Sequence, residues 1–192
     1  MIKAVIFDCF GVLTTDGWLP FKQKYFSHDR RLLSHATELN MSFNAGLMSY
    51  DIFLSQIAEL ANVSYAEARK AIEGNVADKA VFDYIASELT PHYKIGMLSN
   101  VGGDWLERLF TYDQIKLFDA VALSYQTGFI KPDARAYRSI LERLEVEAEE
   151  CIFVDDQQRF CTAARQQGIL AIHYTSFDHF KIVCANMLNE TS

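Results

Sequence analysis

The chain has only three prolines, no Cys-x-x-Cys pair and fewer basic residues than acidic ones, and its uncharged runs are short. Each shortage removes a class of protein. Eighteen Lys and Arg against 25 Asp and Glu give a formal net charge of −7. Together with a pI near 5.2, this argues against nucleic-acid or anionic-membrane partners, both of which reward a clustered basic face. No uncharged run approaches the roughly 20 apolar residues that cross a bilayer. The apolar N-terminal stretch is interrupted by Asp8 and lacks a small-residue cleavage site, so it reads as a strand and not as a signal peptide. Cys9, Cys151, Cys161 and Cys184 lie in strand-like or amphipathic helical surroundings. They read as reduced core thiols of a cytoplasmic protein. There is no repeat and no low-complexity segment, and oligomeric state is not legible.

What is present is an α/β pattern. Half of the 192 residues are hydrophobic, enough for one α/β domain or a domain with a sizeable insertion. Ala4 to Phe7 is an apolar run of β-formers without alternation, as in a strand covered on both faces of a parallel sheet. Asp8 follows where this strand runs out, and Gly11 lets the backbone turn. Thr14 to Trp18 reads as a loop. From Pro20 to about Leu89 the pattern is helical: Met48, Ile52, Phe53, Ile57, Leu60 and Ala61 recur near period 3.6. Ser64 and Glu67 form a capping box before the next helix, and a further helix from about Lys79 stops before Pro91. This predicts an all-helical cap over residues 17–88, set on a core made of residues 1–16 and 89–192.

From His92 the period changes to βα alternation. Strands are expected at Tyr93 to Leu98, Phe118 to Leu123, Cys151 to Val154 and Ile169 to His173. Between them lie helices through Leu106 and Phe110, through Tyr137 to Leu144, and through Phe160 to Ala164 with Gly168 at C′; a last helix begins near Phe177. Five strands separated by helices predict a doubly wound, parallel five-stranded sheet.

Ligands of open α/β sheets bind at the carboxyl ends of the strands, and here those ends carry polar residues. In order they are Asp8, Ser99-Asn100, Lys131 before Pro132, and Asp155-Asp156. Each has an ordinary structural reading as a turn acceptor, a helix cap or a solvated loop lysine. Taken together, in this order and beside these elements, they resemble the motifs of the haloacid dehalogenase-like (HAD) superfamily. The resemblance extends over essentially the whole chain, helical insertion included.

The resemblance implies a Rossmann-like core and hydrolase chemistry. Asp8 would attack phosphorus or carbon and form a covalent aspartyl intermediate. The Ser99 hydroxyl would bind a phosphoryl oxygen with the Asn100 backbone assisting, and Lys131 would place a cation beside nucleophile and substrate. Asp8, Asp155, the Phe10 backbone carbonyl and, as an option, Asp156 would hold Mg²⁺. The expected strand order puts Asp8 on a central strand flanked by those bearing Ser99 and Asp155.

The chain also departs from the family pattern. Phe10 stands where phosphatases of the family carry a second Asp as general acid/base, and Arg159 and Phe160 stand where an Asp or Asn often follows the acidic pair. Three functions remain open: a Mg²⁺-dependent phosphatase of small phosphomonoesters, a 2-haloacid dehalogenase-type hydrolase acting on a halogenated substrate, and a non-catalytic phospho-ligand-binding descendant. Halide leaves without protonation, which suits Phe10, whereas the acidic pair favours metal. Trp18, Phe21, Tyr25 and Phe26 read as cap core or pocket lining, and His28 and His35 as cap surface.

Overall fold

The computed structural model describes residues 1–190. Its framework is one parallel sheet of five strands, β1 (Ala4–Phe7), β2 (Lys94–Ser99), β3 (Ala120–Leu123), β4 (Cys151–Asp155) and β5 (Leu170–His173), in the order β3-β2-β1-β4-β5. The central strand pairs Ala4 with Lys94 on one side and with Cys151 on the other. Its flanks therefore end in Ser99 and Asp155, the expected arrangement. β3 starts later than expected because Asp119 is spent on the neighbouring strand: its carboxylate accepts from Ile95 N at 2.7 Å, and its own N–H donates to the Ile95 carbonyl.

Alternate residues of the pleat enter two different cores. Val5 and Phe7 join Ile152, Val154 and Phe180 on one face, while Ala4 and Ile6 join Phe153, Tyr137 and Ile140 on the other. Every β1 residue is fully buried, which explains the unbroken apolar run. The second face is covered by α9 (Ala134–Leu144) and α10 (Gln158–Gln166), and α11 (Phe177–Glu190) packs on the first. All four cysteines are buried free thiols. Among the described residues no helix is long and apolar enough to cross a membrane.

The helical block has its own core. α1 (Trp18–Phe26), α2 (Arg30–Asn44), α3 (Tyr50–Ala61) and α4 (Tyr65–Glu73) enclose Phe21, Phe26, Phe43, Phe53 and Ile57. Asp29, Ser49 and Ser64 cap three of these helices, Ser64 through the expected capping box. On α3 the buried stripe is Phe53, Leu54, Ile57 and Ala58, and Ile52 is 52% exposed. The expected stripe was rotated because α3 packs between α2 and α4 and so buries a broader face.

α5 (Lys79–Tyr84), with one π turn to Leu89, behaves differently: Val81, Phe82, Ile85 and Leu89 bury in the sheet's first core. Residues 79–88, grouped with the cap by their helical pattern, thus pack with the sheet. The helix expected through Leu106 and Phe110 is a single turn, α6 (Leu106–Leu109). α7 (Tyr112–Ile115) and α8 (Ser124–Thr127) are equally short.

Two crossings join the cap to the sheet, and they lie side by side. Thr15 N–H donates to the Val76 carbonyl at 3.0 Å, Val76 N–H to Thr15 Oγ1 at 2.9 Å, and Asp78 N–H to the Leu13 carbonyl at 2.9 Å. Away from this ribbon the cap touches the core at several points, among them the Tyr50 ring, which meets Trp105 edge-on at 4.8 Å. Ser124 Oγ donates to the Asn44 carbonyl at 2.6 Å. Phe43 rests on Gly102, where a Cβ would come within 2.3 Å of its ring.

Candidate active site

The strand ends gather the acidic residues. Asp8 leaves β1 and turns at once, its Oδ1 accepting from Cys9 N at 2.7 Å. The turn needs Gly11, whose φ is +86° and whose Cα lies against the Asp156 carboxylate; a Cβ there would sit 2.5 Å from Asp156 Oδ2. At the end of β4, Asp155 Oδ1 accepts from Gln157 N at 2.7 Å. The carboxylates of Asp8, Asp155 and Asp156 offer ligand atoms that all lie within 4.8 Å of one another.

Lys131 reaches into this cluster from the loop before α9. Its Nζ donates to Asp155 Oδ2 at 2.7 Å and lies 2.9 Å from Asp8 Oδ1, with all three side chains buried. The ammonium also sits 5.0 Å from the centre of the Phe160 ring and 5.2 Å from that of Phe153. Phe160 therefore serves as more than helix core, since its ring supports the charge. Asn100 fixes the Lys131 backbone, its Oδ1 accepting from Lys131 N at 2.7 Å and its Nδ2 donating to Lys131 O at 2.9 Å.

Burial pushes the Asp8 carboxyl up to about 7, with Lys131 pulling the other way and Asp155 adding to the rise. Burial raises Asp155 too, again against Lys131. Asp156 is pushed up to about 6 by burial and then by the charges of Asp8 and Asp16. For Lys131 burial favours the neutral amine, yet Asp155 and Asp8 outweigh it and hold the ammonium charged. Three carboxylates against one ammonium leave two negative charges when all are ionised. That excess and an all-oxygen donor set fit a hard divalent cation. Asp156 Oδ1 points the same way, being buried without a hydrogen-bond partner.

Above this floor a cavity of about 410 Å³ opens between core and cap. Asp8, Phe10, Asn100 and Lys131 line it on the core side, and Trp18, Lys22 and Phe53 are among its cap residues. Asp155 and Asp156 lie below the lining. Ser99 is likewise outside this lining. Its hydroxyl is buried without a partner, and the residue faces a separate void of about 10 Å³ that Phe10 and Val101 help to close. The Asn100 side chain is likewise committed to Lys131 and not directed at a ligand. Arg159 lies on the cavity wall with its guanidinium over Phe160 and bonded to Gln157 Oε1.

Of the cap aromatics, Trp18 reaches the cavity, Phe21 and Phe26 are buried, and Tyr25 packs against that core. His28 and His35 are exposed. Sequence reasoning missed Asp16, Asn40, Asn44 and Asn75, all on the cavity wall. Only Asp16 carried a local signal, because its loop adjoins the first motif.

A family model described as a haloacid dehalogenase-like hydrolase matches residues 2–168. A sesquiterpene phosphatase, astK, of Aspergillus oryzae is 27% identical over 178 residues, 90% of each chain. Two solved structures share the fold. A HAD family enzyme of Bacteroides thetaiotaomicron, in complex with magnesium and inorganic phosphate, is 22% identical with a TM-score of 0.71 over 94% of this chain and 99% of that one. An L-2-haloacid dehalogenase of Xanthobacter autotrophicus, with chloropropionic acid covalently bound, is 20% identical with a TM-score of 0.66 over 94% of this chain and 81% of that one.

Proposed function

The chain belongs to the haloacid dehalogenase-like hydrolases, and from that premise we propose that it hydrolyses phosphomonoesters with Asp8 as nucleophile. The observation that carries this reading is the ammonium of Lys131 between Asp8 and Asp155 at the floor of the cavity. Both hydrogen-bonding contacts to the Asp8 carboxylate fall on Oδ1, so Oδ2 is the oxygen available for attack.

Oδ2 forms a bond to phosphorus as the ester P–O bond breaks, and the leaving alkoxide takes a proton from water. A second water then attacks phosphorus and passes its proton to the hydroxide left by the first, the bond to Asp8 breaks, and hydrogen phosphate departs with the carboxylate restored. Lys131 offsets charge on the phosphoryl oxygens, and Asn100 holds the lysine backbone in place. Asp8, Asp155 and Asp156, with the Phe10 carbonyl, would hold Mg²⁺. Its positive charge, when bound, lets a phosphate dianion approach three carboxylates. Lys131 lines the cavity and takes the phosphoryl contact on this side, with the Ser99 hydroxyl, buried without a partner beside the neighbouring void, as the second donor the resemblance implies. The cap closes the site against water, and the paired crossings at Thr15 and Val76 are its hinge.

The relative named a phosphatase supports phosphorus over carbon as the centre attacked. Phe10 favours a second reading, dehalogenation, in which no leaving-group acid is needed. The clustered carboxylates weigh against it, since attack on carbon gives Asp156 no task.

The test is a screen of phosphomonoesters with Mg²⁺ beside a halide-release assay without it. Phosphate release that Asp8→Asn lowers by at least about 10³-fold is expected. Halide release alone would establish the second reading. Silence in both assays, with inorganic phosphate still raising the melting temperature, would make the chain a binding protein.

A further inference from the structure

A bare phosphate needs little of the cavity above Asp8. Its volume of about 410 Å³ falls in the range of sites that enclose a ligand body. The lining is mixed. Trp18, Leu19, Ile72, Trp105 and Leu109 offer apolar surface, and Lys22, Glu73, Arg108 and Arg159 add charge. Beside Met41 and Phe43, α2 presents Thr37, Asn40 and Asn44, spaced three and four residues apart on one helix face.

The polar groups of this stripe differ in how they are used. The Thr37 hydroxyl is spent on the Leu33 carbonyl at 2.7 Å. The carboxamides of Asn40 and Asn44 have no hydrogen-bond partner among the described residues, although both residues are half-buried. The other two asparagines of the wall are engaged: the Asn75 amide accepts from Gly17 N at 2.8 Å and donates to the Ile72 carbonyl at 3.0 Å. Asn100 is fully engaged with Lys131. A half-buried amide gains most when a ligand supplies the partner that the protein withholds. Each carboxamide both donates and accepts, which matches a hydroxyl group.

We infer that Asn40 and Asn44 form a specificity subsite, and that the substrate is a phosphomonoester of a largely apolar alcohol carrying a further hydroxyl group away from phosphorus. The apolar body lies along Trp18 and Trp105, and the hydroxyl meets the α2 carboxamides. This rests on the phosphatase reading and adds the chemistry of the leaving alcohol to it.

The experiment compares kcat/KM for three probes with Mg²⁺: n-alkyl phosphates, the α,ω-alkanediol monophosphates of matched chain length, and glycerol 3-phosphate, with 4-nitrophenyl phosphate as a general reporter of turnover. The alkyl esters should exceed glycerol 3-phosphate by about tenfold or more through burial of apolar surface. At one chain length the diol ester should exceed its alkyl partner by roughly five- to tenfold, the usual worth of a net hydrogen bond. Asn40→Leu and Asn44→Leu should each bring the diol-to-alkyl ratio to about one or below. A ratio near one at every chain length in the wild type overturns the subsite, as does a ratio that both variants leave unchanged. Turnover of 4-nitrophenyl phosphate without these preferences removes this inference alone. Silence toward every phosphate removes the phosphatase reading and this one with it.

Discussion

The floor and the roof of the cavity are built on opposite plans. The floor is a dense knot of charge fixed by covalent proximity to strand ends: Asp8 and Asp155 are each within one residue of a buried strand terminus, and Lys131 is pinned through its backbone by Asn100. The roof is a set of helices with an aromatic core, and it gives the cavity its shape and a few polar groups, with Phe43 stacked on Phe53 at 4.8 Å and Trp18 meeting Phe53 edge-on at 5.5 Å. Charge tolerates little displacement, so it sits on the sheet. Shape can vary with the helices that carry it, so it sits on the inserted block, and one chemistry can then serve different ligands.

The contrast can be broken most sharply at the floor. Lys131→Met removes the one cation from three carboxylates, and phosphomonoester turnover should fall by about 10²–10³-fold. Stability should fall as well, by roughly 3–5 kcal/mol, because a buried charge cluster loses its partner. If thermal melting and steady-state kinetics both match wild type, the floor does not work through this lysine.

Phe10 stands at the seam between the two regions and predicts a gain. With no acid at that position, leaving-group protonation limits the first step, so aryl or anomeric phosphates should outrun alkyl phosphates. Phe10→Asp should raise alkyl phosphate turnover by up to about 10²-fold, read as the ratio of alkyl to aryl kcat/KM. An unchanged ratio would mean that protonation comes from elsewhere.

The smallest effect is a pH dependence of the metal-free protein. Asp8 and Asp156 are raised, to about 7 and about 6, so the folded state binds their protons more tightly than the unfolded chain does. Their stabilisation is therefore complete below the unfolded value near 4 and is lost as pH rises to about 7. The melting temperature should drop by a few degrees between pH 5 and pH 7 without metal. Mg²⁺ and Asp156→Asn should each flatten that slope, whereas a roof substitution such as Asn40→Leu should leave it alone. A metal-free melting temperature that is level across this range would place these carboxyls outside the buried cluster.

The floor was legible in the sequence, because a buried parallel strand writes itself as an apolar run and the residue after it is placed by the backbone alone. Asp8 and Asp155 needed no knowledge of packing, whereas Lys131, in the loop before α9, was marked only by its place in the family's motif order. Side-chain direction is another matter. Ser99 and Asn100 were placed on the right strand end, but that the Asn100 carboxamide would be spent on the Lys131 backbone, far off in sequence, could not be read from a strand pattern. The roof was legible only as helices. Ile52 and Leu54 exchange burial through the way α3 wedges between its neighbours, and Asn40 and Asn44 read as ordinary helix-surface residues until the cavity gives them a side. Val81 to Leu89 repeats a helical pattern whether it packs on the cap or on the sheet, so periodicity could not mark where the block ends.

The position of β1 also fixes an order of events during synthesis. Its Ala4 pairs with Lys94 and with Cys151, so β1, made well before either partner, has no neighbour until β2 is made and lacks its second until β4 is made. Meanwhile α1 to α4 can bury their aromatic core using contacts that are all close in sequence. The nascent chain thus carries an apolar, unpaired strand ahead of a block able to collapse behind it. Pulse-labelled hydrogen exchange should accordingly find the amides of α2 and α3 protected before those of Val5 and Ile6, with the nucleophile assembled only when the chain has reached β4.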